Sequence, residues 1–160
     1  MTTAVVFATK HGTTAQVADQ IAQALGGAAL IDLGVNPSPD LDSFDAIVAG
    51  GPVYAGQPVK ALKSFLAANA ETVLARPLAL FVCGLEPDQA KREAEIAATF
   101  DEPLRSHAVG VWFAGGAFLF DKLGFLEKAI IKRIAHVTES TTTLYDDVPA
   151  QIAVAVKGAR

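Results

Sequence analysis

The chain has 160 residues, 51% of them hydrophobic and 19% charged, a balance that suits one folded domain with an adequate core and excludes a disordered chain. A formal net charge of −4 and a pI near 5.3, without a dominant basic patch, argue against a general nucleic-acid binder. Apolar stretches are broken before the roughly 20 residues needed to span a bilayer, no secretory signal is visible, and the single Cys83 excludes an internal disulfide, which together fit a reducing, cytoplasmic setting.

Strand-length apolar runs alternate with segments of helical period, which predicts βαβ units on a parallel sheet. Thr3–Ala8 is the first strand. Thr13–Leu25 follows as a helix, with Val17, Ile21, Ala24 and Leu25 on one face and Gly26 and Gly27 as its stop. Ala28–Asp32 reads as a second strand. A polar, proline-containing link then leads to a third, Ala46–Gly50, wholly apolar and so expected near the centre of the sheet. Pro58 suits the first turn of a second helix that turns Val59, Leu62, Phe65 and Leu66 inward. Leu78–Cys83 is the fourth strand, a mixed-charge helix covers about Asp88–Phe100, and Ala108–Phe113 is the fifth strand. Beyond an apolar link with a glycine pair, Phe125–Val137 reads as a helix and the hydroxyl run Thr138–Thr143 as a loop. Asp146 or Asp147 then caps a last helix reaching about Val156. With no internal repeat, residues 1–160 are expected to form a single domain, an open doubly wound sheet with helices on both faces.

Such a sheet places its ligand crevice beyond the strand C-termini, where the strand order reverses. That rule selects three loops, Thr9–Thr14, Gly51–Gln57 and Gly84–Asp88. The first joins a buried strand to a helix N-terminus, where unpaired N–H groups and the helix dipole favour a phosphate. Gly12 permits the turn, and Thr9, Thr13 and Thr14 carry short hydroxyls able to reach phosphate oxygens. The loop is neither a Walker motif nor a GxGxxG fingerprint; the competing reading is an ordinary βα turn with a Thr cap. The second loop, with Gly50, Gly51 and Gly56 around Pro52, Val53, Tyr54 and Ala55, combines backbone that can approach a flat ligand closely with one planar side chain. Its competing reading is a tight turn with a surface tyrosine.

Taken together, T-K-H-G-T-T at Thr9–Thr14 and G-G-P-V-Y-A-G at Gly50–Gly56 resemble the phosphate loop and the ring-side loop of the flavodoxin family. The resemblance covers essentially the whole chain. It implies a five-stranded sheet of order 2-1-3-4-5 holding FMN at the switch between strands one and three. Thr9, Lys10, His11, Gly12, Thr13 and Thr14 would then meet the phosphate, and Pro52, Val53, Tyr54, Ala55 and Gly56 would line the ring. Gly84 and Leu85, with Cys83 behind them, would close its other edge, and a carbonyl near Ala55 or Gly56 would accept a hydrogen bond from the reduced ring. His11 departs from the threonine more usual in electron-shuttling members; either the imidazole replaces that hydroxyl or the phosphate is held by fewer contacts. Within the family the chain is most similar to the quinone-linked protoporphyrinogen oxidases, through the Lys-His loop, Asp121-Lys122, the basic apolar run Lys128–Arg133, and Tyr145-Asp146 before the last helix.

The residues alone suggest no acid, base or nucleophile constellation and no metal-ligand cluster, and a flavoprotein requires none, because its cofactor carries the electron chemistry. Cys83, at the end of an apolar strand without a CxxC partner, reads as a small buried hydrophobe. His107 and His136 lie outside the three loops. The stretch Val111–Phe125 holds one tryptophan and four phenylalanines, either as core over the sheet edge or as a patch for a porphyrin, a quinone, a membrane surface or a partner. Three functions follow: an FMN-dependent oxidoreductase acting on a bulky apolar substrate such as a porphyrinogen with a quinone acceptor, a flavodoxin-like electron shuttle working with redox proteins, or a binding domain that has lost its cofactor.

Overall fold

The computed structural model describes residues 1–54, 56–118, 141–142 and 144–159. Five strands run parallel: β1 (Thr3–Phe7), β2 (Ala29–Asp32), β3 (Ala46–Tyr54), β5 (Leu78–Cys83) and β6 (Gly110–Phe113), in the order β2-β1-β3-β5-β6. Counted as parallel strands this is 2-1-3-4-5, the order the resemblance implies. The short β4 (Gln57–Pro58) pairs antiparallel with the end of β3.

Alternation along the strands divides the core into two layers. Ala4, Val6, Ile47, Ala49, Leu78, Leu80 and Val82 face one side. There they meet Leu62, Phe65 and Leu66 of α2 (Lys60–Ala68), Val73 of α3 (Ala70–Leu74) and Leu104 of α5 (Glu102–His107). Ile96 of α4 (Gln89–Thr99) packs against that layer half-buried. Val5, Phe7, Val48, Ala79 and Phe81 face the other side, against Val17, Ala18 and Ile21 of α1 (Thr13–Ala24) and Val148, Ile152 and Val156 of α6 (Val148–Gly158). Removing these side chains from water is the main force holding helices to sheet. The edge strand β2 keeps Ala29 and Leu30 exposed.

Several boundaries differ from the sequence reading, each for a local reason. The third strand runs on to Tyr54 and turns back through Gly56, at φ +77°, so Pro58 lies in β4 and not in a helix. Val59, half-buried, is the N-cap residue of α2. The glycines Gly50 and Gly51 serve packing: a Cβ on Gly50 would lie 2.3 Å from the Phe81 ring, and one on Gly51 would meet Leu62 at 3.0 Å. The short helices α3 and α5 escape a periodicity reading because neither is long enough to show a repeat. The fifth strand starts at Gly110, since the Ala108 N–H closes α5 on Leu104. Thr141–Thr142, expected within a loop, form β8, antiparallel to β7 (Ala117–Phe118). Asp147 occupies the N-cap position of α6, but its carboxylate accepts from the Gln151 side chain and not from backbone. The helix expected over Phe125–Val137, with His136, lies outside the described residues. Among the described residues, no helix is long and apolar enough to cross a membrane.

Candidate functional site

The three loops selected by the switch-point rule meet in one cleft of about 420 Å³, open to solvent beyond the C-terminal ends of β1, β3 and β5. Thr9, Lys10, His11, Thr13 and Thr14 supply one side, Pro52, Val53 and Tyr54 another, and Cys83, Gly84 and Leu85 a third. Gly12 and Gly56 stand outside the lining and shape the turns, at φ +88° and +77°. Ala55 lies outside the described residues.

Local chemistry explains the first loop. Gly12 takes the N-cap position of α1 in the left-handed region, which a Cβ would strain, and no side chain caps the helix there. Thr9 turns its Oγ1 back to accept the Gly12 N–H at 3.1 Å, fixing the loop. The Thr-capped alternative is therefore not what forms. Thr14, in the first turn of α1, is 1% exposed, and its Oγ1 is buried without a formed hydrogen bond. It faces the Cys83 thiol, and that weak contact only partly offsets burial, which pushes the thiol pKa up to about 12. Cys83 is thus a neutral thiol on the cleft floor. A buried hydroxyl without a bond costs about 1–3 kcal/mol, so Thr14 is a side chain placed for an acceptor or donor arriving from the cleft.

The first and second loops also hold each other. Lys10 Nζ sits 4.3 Å from the Tyr54 ring centroid, and the His11 ring lies 5.6 Å from it, tilted by 46°. Tyr54 is half-buried between them.

The opposite wall is built from glycine backbone. The Gly84 N–H donates to the Gly115 carbonyl at 2.9 Å, and a Cβ on Gly116 would approach the Gly84 carbonyl oxygen to 2.8 Å. Gly116 lines the cleft and is the residue that sequence reasoning missed. Its signal was the Gly115-Gly116 pair inside an aromatic stretch. Of that stretch, Trp112 and Phe113 pack half-buried against the two core layers, with Trp112 Nε1 donating to Gln151 at 3.1 Å. Residues 119–125 lie outside the described residues. His107 is away from the cleft, its ring bonded to the Arg76 carbonyl.

A parallel sheet with its cleft where the order turns from β1 outward to β2 and outward to β3 defines the doubly wound α/β class that binds ligands at a switch point. The flavodoxin domain family matches residues 4–144, and the chain belongs to that family. Among solved structures, a short-chain flavodoxin associated with a non-canonical PDU bacterial microcompartment is similar at TM-score 0.63 and 14% identity, over 99% of this chain and 98% of that one. A WrbA-like flavodoxin from Agrobacterium tumefaciens is similar at 0.60 and 18%, over the whole of both chains. The FMN-bound flavodoxin of Fusobacterium nucleatum is similar at 0.51 and 17%, over 71% of this chain and 70% of that one. At such identities the likeness is one of fold. No curated protein is significantly similar in sequence.

Proposed function

We propose that the chain is a single flavodoxin-type domain over residues 1–160 that binds FMN and passes electrons between redox partners. The observation that carries this reading is the buried Thr14 hydroxyl at the floor of a cleft walled by a planar side chain, Tyr54, and by glycine backbone at Gly84 and Gly116. A phosphate ester entering beside the uncapped start of α1 would give that hydroxyl its missing partner. Thr9, Lys10, His11, Gly12, Thr13 and Thr14 would hold the phosphate, while Pro52, Val53, Tyr54, Ala55, Gly56, Gly84 and Leu85 would bound the ring. FMN supplies the one- and two-electron chemistry when bound. The FMN-bound Fusobacterium nucleatum flavodoxin, of the same fold, supports the choice of cofactor. The test is release of flavin from the purified protein by denaturation, followed by chromatography. One equivalent of FMN and no FAD is expected, and a chain that neither carries nor takes up FMN refutes the reading.

A second reading keeps FMN and adds a substrate. The likeness of residues 121–146 to the quinone-linked protoporphyrinogen oxidases supports an oxidoreductase that accepts electrons from a porphyrinogen and delivers them to a quinone, in the cytoplasm or at a membrane surface. Anaerobic oxidation of protoporphyrinogen that depends on added menaquinone analogue would favour it. Absence of turnover, with rapid electron exchange with a flavodoxin reductase, leaves the shuttle.

A further inference from the structure

Behind the glycine wall, outside the cleft, stands a half-buried arginine that joins three separate elements. Arg92 of α4 donates from Nε to the Glu86 carbonyl and from Nη2 to the Tyr145 hydroxyl just ahead of α6. Its guanidinium also lies 4.5 Å from the Phe113 ring centroid and 5.4 Å from that of Tyr145. Phe113 in turn backs the wall, since a Cβ on Gly84 would meet its Cζ at 3.3 Å. Tyr145 is itself anchored, its N–H donating to the Ala114 carbonyl at 3.2 Å.

We propose that Arg92 is the positioning residue for the 84–86 wall of the cleft, setting its distance from Tyr54 and hence the fit of a flat ring between them. The inference rests on the FMN reading for its ligand, though not for its geometry. Glu86 is held twice, by Arg92 at its carbonyl and by its own Oε1, which accepts the Asp88 N–H at 3.0 Å. Asp88 then caps α4, accepting the Lys91 N–H at 3.0 Å, so the loop and the helix that carries Arg92 form one closed circuit. Only arginine suits the post. A planar fork holds two acceptors in fixed directions while lying over two rings; an ammonium, three donors on a flexible stem, fixes no such orientation and loses more entropy in forming each bond. Because Arg92's hydrogen bonds and ring contacts go to Glu86, Phe113 and Tyr145, next to the lining residues Gly84 and Leu85, its influence falls on the ring end and not on the phosphate end.

The experiment compares wild type with Arg92→Met, Arg92→Lys, Tyr145→Phe and the Arg92→Met, Tyr145→Phe double variant. It measures hydrogen exchange at 84–88 in flavin-free protein, affinity for FMN and for riboflavin, and the flavin midpoint potential. Arg92→Met should weaken both flavins by the same factor, roughly tenfold, shift the potential, and speed exchange at Gly84 and Asp88, the amides of this loop that donate to the Gly115 carbonyl and to Glu86 Oε1. Arg92→Lys should not rescue. Tyr145→Phe should give part of the loss and add nothing in the Arg92→Met background; it also keeps the test open should Arg92→Met fail to fold. Unchanged affinity and exchange, rescue by lysine, or a loss confined to FMN would each overturn the proposal. A wild type that takes no flavin would overturn the FMN reading alone, and exchange at 84–88 would still decide whether Arg92 fixes the wall.

Discussion

Replacing Thr14 by valine is expected to move stability and affinity in opposite directions. Valine keeps the branched shape and a similar helix propensity, so the change removes little besides the hydroxyl. In the flavin-free protein that hydroxyl is 1% exposed as part of its residue and has no formed hydrogen bond. Removing it should therefore relieve about 1 kcal/mol of desolvation cost, which at this chain length raises Tm by about 2–4 °C. With FMN the sign reverses. A hydroxyl bonded to a phosphate dianion contributes about 1.5–3 kcal/mol, so the variant should lose roughly 10- to 150-fold in FMN affinity. Riboflavin, with the same ring but no phosphate, should bind wild type and variant alike. Urea unfolding of the flavin-free proteins and quenching of flavin fluorescence on titration measure both arms. A flavin-free variant less stable than wild type by 1 kcal/mol or more would mean that the hydroxyl has a partner in the protein. Equal losses for FMN and riboflavin would place Thr14 away from the phosphate.

Three further outcomes follow from the same geometry. Gly116→Ala puts a Cβ 2.8 Å from the Gly84 carbonyl oxygen, which is backbone and cannot swing aside, so it should cost about 1–3 kcal/mol of stability and weaken FMN and riboflavin together; unchanged flavin titrations would contradict the packing. Cys83, with its thiol pushed up to about 12 by burial, should resist a disulfide reagent at neutral pH in the native protein and react as one equivalent after denaturation; fast native labelling would contradict its burial. Burial and the neighbouring Glu86 raise the Glu95 pKa above its ordinary 4.5, Arg92 opposing them, so the folded state binds this proton more tightly than the unfolded one. The resulting penalty develops as pH rises from about 4.5 through the raised value and is absent well below it. Glu95→Gln should therefore be more stable than wild type at neutral pH and match it in acid, and denaturant midpoints across pH would expose a wrong sign.

The sheet was legible because buried parallel strands write themselves as continuous apolar runs, as Ala4–Phe7 and Leu78–Cys83 do, separated by helices long enough to show a face. The cleft was legible because the switch-point rule converts strand order into a choice of loops, and all three chosen loops line it. Two glycines misled. Gly50 and Gly51 carry the same one-letter signal as ligand-approach glycines, yet each is small because a large side chain, Phe81 or Leu62, lies across from it; that partner sits in another element and leaves no mark nearby in the chain. Gly116 escaped for the complementary reason, since its neighbour Gly84 is more than thirty residues away in sequence and meets it only through strand pairing. The circuit through Arg92 was invisible for the same reason, joining positions 86, 92, 113 and 145.

The two ends of the cleft are held by different physics. Under the first loop the support is core: β1 and β3 are largely buried, Phe81 fills the gap that Gly50 leaves, and the buried Ala8 continues β1 by donating its N–H to the Gly50 carbonyl at 3.2 Å. Moving that end would require repacking the interior, so its geometry is as stiff as the fold. Behind the 84–86 wall the packing comes from the half-buried Phe113 ring, and hydrogen bonds and a guanidinium over that ring supply the rest of the support. Interactions of that kind are each worth only about 0.5–3 kcal/mol and can be lost locally without unfolding the sheet. The first-loop end should accordingly keep its shape in flavin-free protein, while the 84–86 end yields first. Amide exchange in the flavin-free protein therefore has a definite order, slow at Val5–Phe7 and Ile47–Ala49 and fast at Leu85–Asp88, and uniform protection across both would refute this division of labour.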